Sequence, residues 1–512
     1  SYSGLNSRAG MAVKFLPFFA AAHVLAPGLG YKAEGFSPPY QLAISLGSLL
    51  VALLGLWWLR LVLRRFFDDK VVAWVILLIP FATNYLNMSV IDGALSHSWL
   101  FSLYAGLMWV CIRLYDRPSA GWALLAGALC GLATLTRPTE IISLLLPLLW
   151  VNEGHLVWRE RLQFYKTHAG KIALAAAAFV LIAGLQPLYW KWATGHWLVY
   201  SYQDQGFSFL KPHLYRGLFS TYKGWLTYTP LMIFATAGIW QLWRQRFPSR
   251  LAVTLFCLLF IYITFSWDVW WYSGNPGQRA MVQCYALLAI PLAAWIQYLR
   301  SCKAWMQWSF GALCVLFSYY NIWGTVQAHT GGLLEESNMT DAYFFKVVGR
   351  WKVPVEWKRL LDHPEYYSGT PQNTTTLLSE NYDAQSGEQY PEQSPGNRVL
   401  MLNEQYQESP VYELPALPEG TQWIRAEAWF RLTAKEWDVW HGGRMSLIFA
   451  KGPKWIKECT LRPHRILNDD QISRLHLDAR LPKKDFDRVF LHFHNSNGNK
   501  TMFIDSLKVS AF

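Results

Sequence analysis

The chain has 512 residues, of which 53% are apolar and only 16% charged, well below the quarter usual in soluble proteins. Its formal charge of +12 is unevenly spread: residues 325–512 hold 22 Lys and Arg against 24 Asp and Glu, leaving 24 basic and 10 acidic residues before residue 325. A purely soluble enzyme and a disordered or fibrous chain are excluded, and the positive charge belongs to loops between apolar runs rather than to a nucleic-acid-binding surface.

Residues 1–39 open with SYSGLNSRAG and continue into a short apolar run, 11–26, expected to lie in the membrane interface. A bilayer about 30 Å thick sets the length of a span. On that measure apolar stretches predict spans near 40–62, 71–90, 95–115, 119–136, 138–151, 171–191, 228–243, 251–267, 281–299 and 304–324. Five alternate loops carry 15 basic residues, among them Arg64, Arg65, Arg113, Arg159, Arg244 and Arg300. The positive-inside rule makes those loops cytoplasmic. Ten spans then put both ends of the chain on the non-cytoplasmic side. A start outside with no signal peptide leads to the expectation of a first spanning helix upstream of Ser1.

Residues 325–397 are mixed, with Pro, Gln, Ser and Asn-rich stretches expected as an outer linker. From Arg398 the apolar period changes to two, in TQWIRAEAWFRL, GRMSLIFA, SRLHLDARL and RVFLHFH, with turn residues between. That pattern predicts an antiparallel β-sandwich over 398–512. Cys459 is the one cysteine after residue 325, so no disulfide framework is expected there, and no Cys/His spacing of metal type occurs. His492 and His494 share a strand face without an evident third ligand and are expected to be solvated. Trp423, Trp429, Trp437 and Trp440 divide between core packing and a sugar platform. The sequons at Asn338, Asn373 and Asn499 carry no weight.

The outer face of the membrane part is where chemistry is expected, since ionisable groups at that depth are costly. The loop NMSVIDGALSHSWL supplies Asp92 and His97, and LTRPTE supplies Arg137 and Glu140. A long loop holds Asp204, Lys211, His213 and Lys223; SWDVWWYSGNPGQRA holds Asp268, Tyr272 and Arg279. Arginine offers a planar fork for phosphate oxygens, and aromatic rings suit sugar faces. A transfer to a hydroxyl needs a base and a cationic clamp on the leaving phosphate. Each residue also has a plainer reading: Arg137 as a helix cap, Lys223 as an interfacial anchor, His97 as a buried hydrogen-bonding group.

The segments LTRPTE, YWKWATGHWLVYSYQDQGFSFLKP, YKGWLTYTP and WWYSGNPGQRA, with the order of spans, resemble bacterial membrane glycosyltransferases of the GT-C superfamily. These are relatives of the protein mannosyltransferases and the lipid A aminoarabinose transferase, and the resemblance covers roughly residues 11–350. It implies a polytopic helical domain over 40–324 and inverting transfer of a sugar from a polyprenyl-phosphate carrier on the non-cytoplasmic face. The acceptor would be a glycan, lipid or protein, with membrane lipids around the bundle and no nucleic acid. The implied setting is a bacterial inner membrane, with the C-terminal domain in the periplasm.

The substrate-binding set expected on these residues is Arg137, Arg279, Lys223, His97, Asp268, Tyr272, Glu140 and Asp204. Family members place the catalytic Asp in the first outer loop. SYSGLNSRAG contains neither Asp nor Glu, so the base is expected upstream of Ser1. No spacing requires a divalent metal, although one is compatible with the chemistry. The reading from another class is a non-catalytic membrane subunit of the same ancestry, whose sandwich, similar to carbohydrate-binding modules, holds glycan or a partner protein.

Overall fold

The structure, a computed structural model, describes residues 9–200, 205–272, 276–335, 339–433, 442–468, 470–495 and 501–512. The chain divides into two units, residues 1–336 and 337–512. The first is helical: α1 (Ala9–Leu25), α2 (Pro38–Arg64), α3 (Asp69–Phe81), α4 (Ser96–Asp116), α5 (Ala120–Thr136), α6 (Leu145–Leu149), α7 (Trp158–Thr167) and α8 (Ala169–Ala183). There follow α9 (Leu185–Thr194), α10 (Leu214–Phe219), α11 (Trp225–Tyr228), α12 (Leu231–Arg244), α13 (Arg250–Ser266), α14 (Tyr285–Arg300) and α15 (Ala304–Val326). Two 3₁₀ stretches, Pro138–Leu144 and Arg279–Cys284, lead directly into α6 and α14.

Four helical segments are long and apolar enough to cross a membrane: Pro38–Arg64, Ser96–Asp116, Ala169–Thr194 and Arg279–Arg300. Their burial sorts them into two roles. Along α14 nearly every side chain is buried, whereas no residue of α8 is. On α2 an exposed row, Leu42, Leu46, Leu50, Leu53 and Trp57, repeats at the helical period. Water would not tolerate such surfaces on a folded chain, but hydrocarbon would. The unit is a membrane protein.

Between helices in lipid, small residues let backbones approach. A Cβ on Gly127 of α5 would overlap the Ala175 carbonyl oxygen of α8, and one on Gly238 of α12 would overlap the carbonyl of Pro291 in α14. Gly127→Ala is therefore expected to push α5 and α8 apart, at a cost of about 1–3 kcal/mol of overpacking strain. Steric-trap or detergent-unfolding measurements on the variant check this, and unchanged stability would refute the close approach.

One expected span is interrupted for an identifiable reason. The expected span 71–90 breaks after Phe81, where the Thr83 hydroxyl takes the Ile79 carbonyl at 2.5 Å, and resumes as a π-helical stretch at Asn87–Ile91; Pro80, just before the break, cannot donate to the Ile76 carbonyl. Asn84 then turns inward and accepts a hydrogen bond from the Tyr285 hydroxyl at 2.7 Å. The short run at 11–26, expected in the interface, forms α1, whose Gly10 lies against the Thr136 backbone at the end of α5 (2.5 Å to an added Cβ). Phe15 and Phe18 of α1 pack edge-on against Trp99 at 5.4 and 6.0 Å.

The second unit begins with α16 (Asp341–Val347) and a 3₁₀ stretch, Val355–Leu361. Its strands are β1 (Thr375–Glu380), β2 (Glu392–Ser394), β3 (Asn397–Arg398), β4 (Leu400–Leu402), β5 (Tyr412–Glu413) and β6 (Trp423–Leu432). The remainder are β7 (Arg444–Lys451), β8 (Lys454–Leu461), β9 (Ser473–Arg480), β10 (Arg488–His494) and β11 (Met502–Ala511). One antiparallel sheet runs β1-β11-β6-β9, with β4 also on β11; a second runs β5-β10-β7-β8. Both sheets feed one core, joined for example by the Phe430–Phe493 ring contact at 6.0 Å. Burial alternates along β6 and β10, as period-two patterning requires.

The stretch expected as linker, 325–397, contributes α16 and β1 to this unit. The sequence TTLLSE hides its strand character because both ends are polar and exposed. His492 and His494 lie on the outward face of β10, where burial first, and the Arg444 charge next, hold both imidazoles below their usual range. Trp423 and Trp429 share the outward face of β6, and Trp429 is exposed. Trp437, Trp440, Asn338 and Asn499 lie outside the described residues, as does Asp204.

Candidate active site

Three turns of chain converge on a cavity of about 550 Å³ in the helical unit. The first is the start of α4, where Leu95 is extended and His97 occupies the opening turn, 5% exposed. The second is LTRPTE. Pro138 forces its predecessor out of the helical region, so Arg137 is extended (φ −148°, ψ 124°) and α5 ends there. Pro138 then opens the 3₁₀ stretch that carries Glu140, 2% exposed. The third follows α13. Gly277, at φ +70° and close against Tyr228 (2.6 Å to an added Cβ), lets the chain turn into the 3₁₀ stretch with Arg279 and Gln283.

Arg137, Arg279, His97, Glu140, Tyr272 and Gln283 all line this cavity. Apolar side chains complete the wall, including Leu135, Ile142, Phe260, Ile263 and Trp267, with Leu198 and Tyr200 from the long loop. Tyr272 sits at φ +42°, a left-handed conformation that costs a non-glycine residue about 1–3 kcal/mol. Its ring lies 5.8 Å from the Arg137 guanidinium carbon, within cation–π reach.

Hydrogen bonds order the polar end. Glu140 accepts from Gln283 Nε2 at 2.6 Å, from the Tyr104 hydroxyl, and from Thr139 Oγ1 at 3.4 Å. With Glu140 ionised, and so only accepting, the Gln283 amide presents its NH₂ to Glu140 and its oxygen to His97. His97 Nδ1, 2.9 Å from that oxygen, is then the protonated nitrogen, and Nε2 carries the basic lone pair. The approach of Arg137 NH1 to Nδ1 at 3.5 Å is on this assignment a meeting of two donors. Lys14 of α1, 7% exposed, brings its amine within electrostatic reach of Glu140. Its signal was the single charge in the run MAVKFLPFF. Among the described residues of the cavity no three His, Cys, Asp or Glu ligand atoms come together.

The other expected residues lie elsewhere. Lys223 is fully buried, and among the described residues neither it nor Asp268 lines the cavity wall. Asp268 accepts from Ser208 Oγ at 2.6 Å and from the Gly206 amide at 2.8 Å, bonds that hold its carboxyl below the usual range. It ties the long loop to the turn after α13, beside the Phe207–Trp267 bridge.

The geometry has one property that no single residue shows. Three helical segments start at the cavity, at Ser96, Pro138 and Arg279, so the positive end of each segment's dipole lies at its wall. Two guanidinium groups share the same wall. Positive groups gathered in this way beside apolar flanks suit an anion.

No family model matches the chain, and no curated protein does. Among solved structures the chain is similar to the arabinosyltransferase EmbB from Mycobacterium smegmatis, at 13% sequence identity and a TM-score of 0.32, covering 90% of this chain and 57% of that one. The chain thus spans less than two thirds of that structure's length.

Proposed function

We propose that the chain is a membrane glycosyltransferase of the GT-C kind, which draws a sugar from a polyprenyl-phosphate carrier and transfers it with inversion to a glycan, lipid or protein acceptor. The reaction takes place on the non-cytoplasmic face of a bacterial inner membrane, with the sandwich in the periplasm. The observation that carries this reading is the convergence of Arg137, Arg279 and three helix N-termini on one apolar-walled cavity.

In this reading the two guanidinium groups and the helix termini hold the carrier phosphate and stabilise the charge that grows as the glycosidic bond breaks. The apolar wall takes the first isoprene units, and Tyr272 packs against the sugar. Glu140 and Gln283 fix the His97 tautomer, so that Nε2 accepts a hydrogen bond from a sugar or acceptor hydroxyl.

The test is sugar transfer by the protein in nanodiscs supplied with polyprenyl-phosphate sugars, read as release of polyprenyl phosphate. A chain that neither binds nor discharges any such lipid would overturn the proposal. Within it, Gln283→Leu uncouples His97 from Glu140. Turnover is expected to fall by about 10²-fold with the carrier KM little changed, and the pH–rate profile to shift. An unaltered profile would remove His97 from the mechanism.

A further inference from the structure

In the sandwich unit, Asp362 is fully buried and its carboxylate accepts from the Arg462 amide (2.8 Å), Arg462 NH1 (2.7 Å) and Arg465 Nε (2.8 Å). Two further bonds, from the Arg480 amide to Glu365 (2.8 Å) and from the Tyr367 amide to Asp478 (3.1 Å), fasten the next residues. The segment 362–367 is therefore held rigidly against β8 and β9. It brings His363 and Glu365 beside Cys459 of β8, so that one ligand atom from each lies within 4.8 Å of the others.

His363 is 8% exposed, and its Nε2 makes no hydrogen bond among the described residues, although it stands 3.3 Å from Glu365 Oε2. A protonated ring would meet the Glu365 carboxylate as an ion pair; with Nε2 unprotonated the two atoms stand as neighbouring acceptors, the arrangement of two ligands around a shared cation. Zinc–nitrogen and zinc–oxygen bonds of about 2.0–2.1 Å in a tetrahedron put such atoms about 3.3–3.4 Å apart. A cavity of about 10 Å³ touches both residues, enough for one water as a further ligand.

We propose that His363, Glu365 and Cys459 form a binding site for a zinc-class divalent metal that staples the 362–367 segment to β8. Nitrogen, oxygen and thiolate donors together suit a borderline-soft ion such as zinc, whereas magnesium and calcium want oxygen alone. On ligation the Cys459 thiol gives its proton to solvent and its sulfur closes toward the other two atoms. Lys457 now stands as the local cation, 2.7 and 2.6 Å from the two Glu365 oxygens and 2.7 Å from the Arg480 carbonyl. Metal entry requires its ammonium to yield Oε2 while keeping Oε1 and that carbonyl.

The experiment loads the full chain, stripped by chelator, with zinc and then with cobalt(II). One equivalent of zinc per chain and a thiolate-to-cobalt charge-transfer band are expected. His363→Ala and Cys459→Ala should weaken zinc binding by more than about 100-fold, the upper end of what losing an outer partner costs. Lys457→Met removes the competing ammonium and should tighten zinc binding by about tenfold, a gain that misfolding cannot produce. Sub-stoichiometric zinc, a cobalt spectrum without the thiolate band, or unchanged affinity in Lys457→Met would each overturn the site.

Discussion

Replacing Arg137 or Arg279 by lysine is expected to lower sugar transfer by about 10²-fold or more, with the protein still inserted and folded. Both residues line the same cavity, so both changes strike the one proposed anion site. Lysine keeps the charge but loses the planar fork that grips two phosphate oxygens at once. The loss of one such donor from a preorganised, poorly hydrated site costs on the order of 10²–10³ in turnover. For Arg137 a second loss follows, since its guanidinium also stacks 5.8 Å from the Tyr272 ring. Transfer assays on purified Arg137→Lys and Arg279→Lys decide the matter. Wild-type rates in both would remove the phosphate clamp and with it the proposed donor site.

Asp362→Ala is expected to cost the sandwich unit about 3–5 kcal/mol, because it leaves the Arg465 and Arg462 guanidinium groups buried beside an empty position. The Asp362 and Arg465 side chains are 0% and 3% exposed, so water cannot make good the loss. Hydrogen exchange along β8 and β9, followed by mass spectrometry on the full chain, reports the opening free energy of this region. Protection equal to wild type would show that the carboxylate contributes no net stability.

The organisation of the chain was legible because it rests on two periodicities and a length. Runs of about twenty apolar residues marked the four helical segments long enough to cross a membrane, and the change to alternating residues after Arg398 marked most strands of the two sheets. Local chemistry also set details of the site. Pro138 in LTRPTE ends α5 and starts a new helical segment, which puts Arg137 and Glu140 on one turn. Other elements were hidden. The helix at 71–90 breaks after Phe81, just beyond Pro80, and returns as a π-helical stretch at Asn87–Ile91. The strand at Thr375–Glu380 reads as polar linker because it is half exposed and owes its order to pairing with β11.

Which ionisable groups meet was decided by tertiary structure alone. Composition placed Lys223 and Asp268 on the same face as Arg279, yet Lys223 is buried away from the cavity wall and Asp268 serves to tie down the long loop. Lys14 read as part of an interfacial helix; packing of Gly10 on the end of α5 brings it within reach of Glu140. His363, Glu365 and Cys459 are spread over 97 positions and match no ligand spacing, and only the anchoring of 362–367 to β8 and β9 gathers them. The physical reason is common to all three. Hydrophobic periodicity is a property of neighbouring residues and survives in the sequence. A polar constellation depends on angles and distances between elements far apart in the chain, and those are set when the apolar faces pack.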